Sequence, residues 1–169
     1  MIEDEGLLLD TLNSAPRRDG VQVEHLDPVR GAEFARRHGG IGSEEEVRRL
    51  RRVRDALQAV IRGDDGADSA LQALLGDVRL TPTVVADGIR WDLSAPDDRM
   101  LAARLVRAWS IVAERMPGRL KACANQECNL FLIDRTRPGT AKWCSMATCG
   151  NRMKARTHAA RRRAVTDGR

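Results

Sequence analysis

The sequence predicts an α+β protein that is mostly α-helical. A helical N-terminal domain with a small β-hairpin is followed by a compact four-cysteine module and a basic C-terminal helix. Three observations predict this fold class. Apolar residues recur every three or four positions in two long stretches, an Asp-Gly pair separates two short β-rich runs, and all four cysteines lie within residues 123–149.

The first two helices are predicted from short local signals. Residues 7–13 form an apolar run that we predict as a helix, and residues 21–26 alternate in the manner of extended chain. Asp27 before Pro28 is typical of a helix start, and the glycines at residues 39–40 end that helix.

The clearest amphipathic helix follows Ser43, which forms a capping-box sequence with Glu46. Its apolar positions share one face and are Val47, Leu50, Val53, Leu57, Val60 and Ile61. Its arginines lie mostly off that face. We interpret them as a solvated surface that pairs with the acidic first turn, in preference to nucleic-acid contacts.

A shorter helix at residues 67–75 precedes the predicted hairpin. Its strands are residues 83–86 and 89–93, with Asp87 and Gly88 as the centre of a type I′ turn.

The last helix of the N-terminal part is predicted from Ser94 and Asp97, a second capping box. Trp109 lies on the apolar stripe of this helix, which favours a role in the core over base stacking. Pro and Gly at residues 117–118 end the helix and mark a domain boundary.

Charge separates the two domains that this boundary defines. Residues 1–116 contain 17 Lys and Arg against 21 Asp and Glu, whereas residues 117–169 contain 12 against three. The net charges are therefore −4 and +9, and the C-terminal part is the one suited to an anionic partner.

The cysteines form two matching pairs, Cys123 with Cys128 and Cys144 with Cys149. Four residues separate the members of each pair, and fifteen separate the pairs. This pattern predicts one structural Zn²⁺ held by all four thiolates, which leave no open position for catalysis. Two disulfides or four unrelated thiols are the alternatives.

The predicted compartment argues against disulfides. Residues 1–6 are acidic and lack the pattern of a secretory signal, and no run of about 18 apolar residues suggests a membrane span. We therefore expect a cytoplasmic protein whose thiols stay reduced and which does not contact a membrane.

The module is expected to begin with a zinc knuckle at residues 123–128. A strand at residues 130–133, a turn at 137–139 and a return strand at 141–143 would follow. Phe131 and Trp143, each on one of these strands, would pack over the metal.

The final helix is predicted to start at Ser145 as its N-cap, with Cys149 in its first turn aimed at the metal. Gly150 would permit close packing there, and Asn151 would tie the knuckle to the helix. This order of elements resembles a treble clef.

At these residues the sequence resembles the CGNR zinc-finger family, through the run Cys149, Gly150, Asn151 and Arg152. The resemblance implies that the four cysteines are the metal ligands. Proteins of this family usually carry an N-terminal ABATE domain associated with stress-induced transcription regulation. Residues 7–14, Leu-Leu-Leu-Asp-Thr-Leu-Asn-Ser, are similar to the opening motif of that domain.

The basic residues after the finger indicate binding to double-stranded DNA. The candidate contacts are Arg152, Lys154, Arg156, Arg161, Arg162 and Arg163. The predicted function is a DNA-binding transcription regulator, and the alternative is a protein-interaction adaptor whose basic helix docks on an acidic partner.

No enzymatic activity is expected, because no nucleophile with a base, no phosphate loop and no open metal position stands out in the sequence. Asp10 and Asn13 are candidates for a small-molecule effector site, with local capping as the alternative. A homodimer is left open.

Overall fold

The computed structural model describes residues 4–18 and 20–167, with the side chains of all of them except residues 161 and 163–167. These residues form an α+β structure that is mostly helical, which confirms the predicted fold class. The described chain contains six α-helices, one π-helical turn and three two-stranded antiparallel sheets. No helix within it is long and apolar enough to cross a membrane.

Five helices make up the body of the N-terminal part. They are α1 Glu5–Leu12, α2 Pro28–Arg37, α3 Glu44–Arg62, α4 Ala67–Ala73 and α5 Asp97–Arg115. Between α1 and α2, β1 Arg17–Arg18 pairs with β2 Val21–Gln22 in a short hairpin. Only the start of the predicted extended stretch is therefore a strand.

Capping bonds confirm the predicted starts of α2 and α3. Oδ1 of Asp27 accepts hydrogen bonds from the N–H groups of Val29 and Arg30, each at 3.0 Å. The Ser43 hydroxyl accepts one from the N–H of Glu46 at 3.1 Å. Each bond satisfies a donor that has no partner inside its helix.

The Glu46 carboxylate does not complete the predicted capping box with Ser43. It is 1% exposed and accepts a hydrogen bond from the N–H of Gly42 at 2.6 Å. A Cβ atom at Gly40 would lie 2.5 Å from its Oε1, so only glycine lets the buried carboxylate come this close to the chain.

The hydrophobic core lies where α3 crosses α1 and α5. Leu50, Val53 and Leu57 of α3 face Leu101 and Leu105 of α5, and all five are at most 1% exposed. The apolar face that the spacing predicted for α3 is therefore the face that it buries.

Arg54 of α3 departs from the predicted solvated face, because its side chain is only 2% exposed. Its guanidinium donates to both carboxylate oxygens of Glu24 at 2.8 Å and to the Ser14 hydroxyl at 2.9 Å. Arg48, by contrast, is exposed and pairs with the acidic first turn as predicted. The helical periodicity alone could not show that Glu24, from another segment, would cover Arg54.

The second hairpin is longer than predicted and turns one residue earlier. β3 Arg79–Val85 pairs with β4 Gly88–Ser94 in a register that leaves Ala86 and Asp87 as the turn. A type I′ turn needs a positive φ at both central residues, and Asp87 does not have one. The predicted turn is therefore wrong, although Gly88, at φ 145°, adopts a backbone that favours glycine.

The predicted capping box at the start of α5 is also wrong. Ser94 is the last residue of β4, where it pairs with Arg79, so it cannot cap the helix. Pro96 is the N-cap residue and provides no side-chain hydrogen bond. At the other end, the helix stops at Arg115, shortly before the predicted break, where Gly118 has φ 70°.

An open apolar cleft of about 580 Å³ lies between the β3–β4 hairpin and α5. Leu80, Trp91 and Leu93 line it from the hairpin, and Trp109 lines it from the helix. Trp109 is partly buried and packs against the core, as predicted from its place on the apolar stripe.

The sheet of the C-terminal module is formed by β5 Leu120–Ala122 and β6 Phe131–Ile133. The predicted return strand at residues 141–143 is wrong, because the partner of β6 comes before the first cysteine and not after it. Residues 141–143 are held instead by the Ala141 N–H, which donates to Oδ2 of Asp134 at 2.9 Å, and by one backbone bond to the first knuckle.

The sequence predicted that Phe131 packs over the metal centre. In the structure its side chain lies in the core of the helical part instead. Its side chain is 2% exposed, and the guanidinium of Arg62 lies 4.8 Å from its ring centroid. β5 packs against α3, and β6 packs against α1. The module is thus attached to the helical part through an aromatic side chain that is shared with the main core.

Candidate metal centre

The four cysteines come together in one cluster, with all Sγ atoms within 4.8 Å of one another. The Sγ atom of Cys144 lies 3.7 Å from that of Cys128 and 3.7 Å from that of Cys149. Four sulfurs around one zinc at about 2.3 Å are roughly 3.8 Å apart in a tetrahedron. A disulfide needs about 2.05 Å. The cluster therefore fits one tetrahedral Zn²⁺, and the predicted structural zinc is confirmed.

The first two ligands are presented by a tight loop that Asn125 organises. Its Oδ1 accepts from the N–H of Glu127 at 3.3 Å, and its backbone carbonyl accepts from the N–H of Cys128 at 2.8 Å. Its Nδ2 donates to Sγ of Cys149 at 3.5 Å. Asn125 is completely buried, so one amide both shapes the first loop and contacts a ligand of the second.

Of the other two ligands, Cys144 lies just before the π-helical turn Met146–Gly150 and Cys149 lies within it, and this turn leads into α6 Asn151–Asp167. The Ser145 hydroxyl accepts from the N–H of Thr148 at 3.3 Å, so Ser145 caps this turn as predicted. Cys149 lies in the turn and is buried against the cluster. The metal therefore fixes the first turn of the C-terminal helix.

Gly150 is required by close packing at the same turn. A Cβ atom there would lie 2.9 Å from the sulfur of Met146 and 3.2 Å from Cδ1 of Trp143. The prediction of close packing is confirmed, with the qualification that these side chains, not the thiolates, occupy the space.

The sequence predicted that Asn151 links the two cysteine loops, but in the structure Asn125 forms this link. Asn151 is exposed, and its Nδ2 donates to the carbonyl of Ala147 in the π-helical turn that precedes α6, not to the first cysteine loop. The signal for Asn125 was its place two residues after Cys123. There, an Asn side chain can accept from the N–H two residues further along.

Burial affects the protonation of the cysteines. It raises the pKa of the Cys128 thiol to about 11 and also raises that of Cys144. Cys149 differs: burial opposes its thiolate, but the hydrogen bond from Asn125 and those from the other three cysteines together lower its pKa below the usual value. The positive charge of Zn²⁺ offsets the burial of four thiolates, and binding releases protons.

Asp134 supports the loop between the two cysteine pairs. Its carboxylate accepts from the Thr136 hydroxyl at 2.6 Å, the Lys121 ammonium at 2.9 Å and the Ala141 N–H at 2.9 Å. The Thr136 bond and then the Lys121 bond hold the pKa of Asp134 well below its usual range. This carboxylate therefore stays ionised and fixes the chain that leads to Cys144.

The predicted DNA-contact residues lie on α6, whose described side chains are exposed except for Met153. Its first half contains Arg152, Lys154 and Arg156, and Arg162 lies near its end. Nη2 of Arg156 donates to Oε1 of Glu127 at 2.6 Å, which brings this part of the helix against the first cysteine loop. The side chains of two further predicted contacts, Arg161 and Arg163, lie outside the described residues.

Asp10 and Asn13, the predicted effector-site candidates, border a cleft of about 460 Å³ together with α2. Asp10 lies beside His38, with 3.3 Å between its Oδ2 and Nε2 of the imidazole. Both polar atoms of the Asn13 side chain are bonded to the backbone of Phe131, so its main role here is structural. An effector at this cleft stays a prediction.

Residues 119–162, about a quarter of the chain, match the family described as CGNR zinc finger. No curated protein matches the chain. The match contains all four clustered cysteines. The C-terminal part of this protein is therefore similar to CGNR zinc fingers, and its cysteine cluster is a site for one structural Zn²⁺.

Proposed function

We propose that this protein is a DNA-binding transcription regulator whose zinc finger presents α6 to duplex DNA. The observation that carries the proposal is the attachment of this helix. The helix begins at Asn151, two positions after the metal ligand Cys149, and almost every described side chain along it is exposed. A helix that is fixed at one end and exposed along its length is suited to enter a groove.

Size and charge support the same partner. α6 contains 17 residues and is therefore about 25 Å long, and the major groove of B-DNA is wide enough for an α-helix. Arg152, Lys154, Arg156 and Arg162 are exposed on it. Residues 117–169 carry a net charge of +9, so neutralisation of phosphates and release of counterions would drive binding.

In this proposal the zinc is structural, because four thiolates leave no position open for water or substrate, and the protein acts without catalysis. We assign residues 1–116 a regulatory role in the cytoplasm, as expected for an ABATE-like domain. Such a domain would respond to a small molecule or to self-association.

The test is binding of the zinc-loaded full chain to a fluorescent random-sequence duplex at 50 and 200 mM salt. A steep loss of affinity with salt supports DNA binding. The alternative function, an adaptor for an acidic protein, predicts no binding even at 50 mM salt.

A matched pair of variants locates the interface. Lys154→Glu reverses a charge on α6, whereas Lys142→Glu makes the same change at an exposed residue before the second cysteine pair. We expect Lys154→Glu to weaken duplex binding about tenfold or more at 50 mM salt, and Lys142→Glu to have a smaller effect. Equal losses of affinity in the two variants would show that α6 is not part of the DNA interface.

A further inference from the structure

A basic side chain from outside α6, Arg17, lies beside the arginines of the first half of this helix. A cleft of about 550 Å³ lies between the β1–β2 hairpin, the first cysteine loop and the first half of α6. Its lining residues are Arg17, Gly20, Gln126, Glu127, Arg152 and Arg156. The hairpin belongs to the N-terminal part, so this cleft joins the two parts of the chain.

The hairpin is held in place by the residue that follows the second zinc ligand. Oδ1 of Asn129 accepts from the N–H of Arg17 at 2.7 Å, and its Nδ2 donates to the carbonyl of Ala15 at 2.7 Å. One side-chain amide thus bonds the chain at two points, much as a neighbouring strand would. The position of the Arg17 backbone is therefore coupled to the metal-bound loop.

The two arginines of β1 differ in direction. Arg17 pairs with Gln22 and Arg18 with Val21, and successive side chains on a strand point to opposite faces. Arg17 lines the cleft and Arg18 does not. The hairpin therefore offers a cation on each face, and only one of them accompanies α6.

Positive charge dominates the cleft. Among the residues that the structure describes, Glu127 is the one acidic side chain that lines the cleft, and it pairs with Arg156. The described side chains of this lining, three guanidinium groups and one carboxylate, carry a net charge of +2. Guanidinium groups bind phosphate oxygens through two parallel hydrogen bonds.

We propose that the β1–β2 hairpin is part of the nucleic-acid interface, and that Arg17 binds a backbone phosphate of the same duplex as Arg152 and Arg156. The proposal rests on the DNA-binding function and extends the interface beyond the zinc finger into the N-terminal part. Asn129 would act as a positioning residue, because it sets the place of Arg17 without contacting the DNA.

The test compares Arg17→Ala with Arg18→Ala in the zinc-loaded full chain, with a random-sequence duplex and salt between 50 and 300 mM. Each phosphate contact contributes about 0.9 to the slope of log K against log salt. We expect Arg17→Ala to reduce the slope by about 1 and to weaken binding about eightfold at 0.1 M salt. Arg18→Ala removes the same charge and should change affinity less than about twofold.

Asn129→Ala gives an independent readout, since it keeps every arginine. It should weaken duplex binding as Arg17→Ala does, provided that zinc content is unchanged by elemental analysis. Substituting Arg17 should leave both zinc content and melting temperature unchanged, because the bond to Asn129 uses its backbone.

Two outcomes would overturn the inference, and they are distinguishable. If the wild type binds with a steep salt slope but Arg17→Ala and Arg18→Ala behave alike, the hairpin is outside the interface while the proposed function stands. If the wild type does not bind the duplex at 50 mM salt, both proposals fail.

Discussion

The side chain of Asn13 forms a two-bond pair with the backbone of Phe131, 118 positions later in the chain. Oδ1 of Asn13 accepts from the Phe131 N–H at 2.8 Å, and Nδ2 donates to the Phe131 carbonyl at 3.2 Å. The pair lies where the ring of Phe131 enters the helical core, so it fixes the zinc finger to the end of α1.

We expect Asn13→Ala to destabilise the zinc-loaded protein by about 2 kcal/mol, because it leaves both backbone groups of Phe131 without their partner. Phe131→Ala should cost more, about 3 to 5 kcal/mol, through the cavity that it leaves. Urea denaturation followed by circular dichroism measures both. Phe131→Leu is the conservative control, and a change of less than 0.5 kcal/mol in Asn13→Ala would show that solvent replaces the pair.

A second prediction concerns the buried amide between the two cysteine loops. Asn125→Ala should lower zinc affinity about 10- to 100-fold, because it removes a hydrogen bond to the Cys149 sulfur and releases the first loop. Competition with a chromogenic chelator measures the affinity. Asn151→Ala is the matched control, since that amide is exposed and bonds to the backbone of the adjacent π-helical turn, not to a cysteine sulfur. Equal losses in the two variants would contradict the role given to Asn125.

The Arg54–Glu24 pair predicts a specific pH dependence. Burial is the largest single influence and works to raise the pKa of Glu24. The bonds and charge of Arg54, the Leu26 N–H and the charge of Arg51 together outweigh it and hold that pKa below the usual value. A lowered pKa means that the unfolded state takes up the proton first. Glu24 therefore stabilises the fold above about pH 4.3, and this contribution is lost as pH falls through the lower, folded value.

Glu24→Gln tests this sign. At pH 7 we expect the variant to be about 2 kcal/mol less stable than the wild type, since a buried guanidinium loses one of its two charged partners and keeps only Asp55. The difference should shrink as both proteins are unfolded at successively lower pH towards 3. Acid affects the zinc ligands of the two proteins alike. If the difference in unfolding free energy between them stays constant with pH, Glu24 does not contribute to the pH dependence of stability.

If DNA binding is established, Glu127 should oppose it. Its carboxylate pairs with Arg156 and lies in the cationic cleft, where it competes with phosphate. We expect Glu127→Gln to strengthen duplex binding about eightfold at 0.1 M salt, by the counterion contribution of one charge. Glu114→Gln, which changes the same charge on α5, should have little effect. Weaker binding by Glu127→Gln would mean that the ion pair orders α6 for contact.

The sequence predicted the elements whose signals are local. Asp27 and Ser43 cap their helices, the stripe through Leu50 and Leu57 is the buried face, and the cysteine spacing identifies the zinc cluster. Each of these depends on residues within a few positions, or on a ligand count that few arrangements satisfy.

The failed predictions depended on partners far away in the sequence. Residues 141–143 are close enough to β6 in the sequence to form a hairpin with it. In the structure, residues 120–122, which precede the first cysteine, are the strand that pairs with β6. Phe131 has an apolar side chain that suits either the metal site or the core, and only the packing of β6 on α1 decides between them. Likewise, nothing near Asn129 in the sequence indicates that it bonds the chain at Ala15.

The ring of Phe131 gives the ion an influence on the lifetime of the whole protein. A chain made in a zinc-starved cell would lack the ordered finger that positions this ring in the core. Its helical part would then contain a cavity and would unfold locally more often. Proteases degrade such open states in proportion to their population. The amount of this protein in the cell should therefore follow the supply of the metal, without any change in the rate of its synthesis.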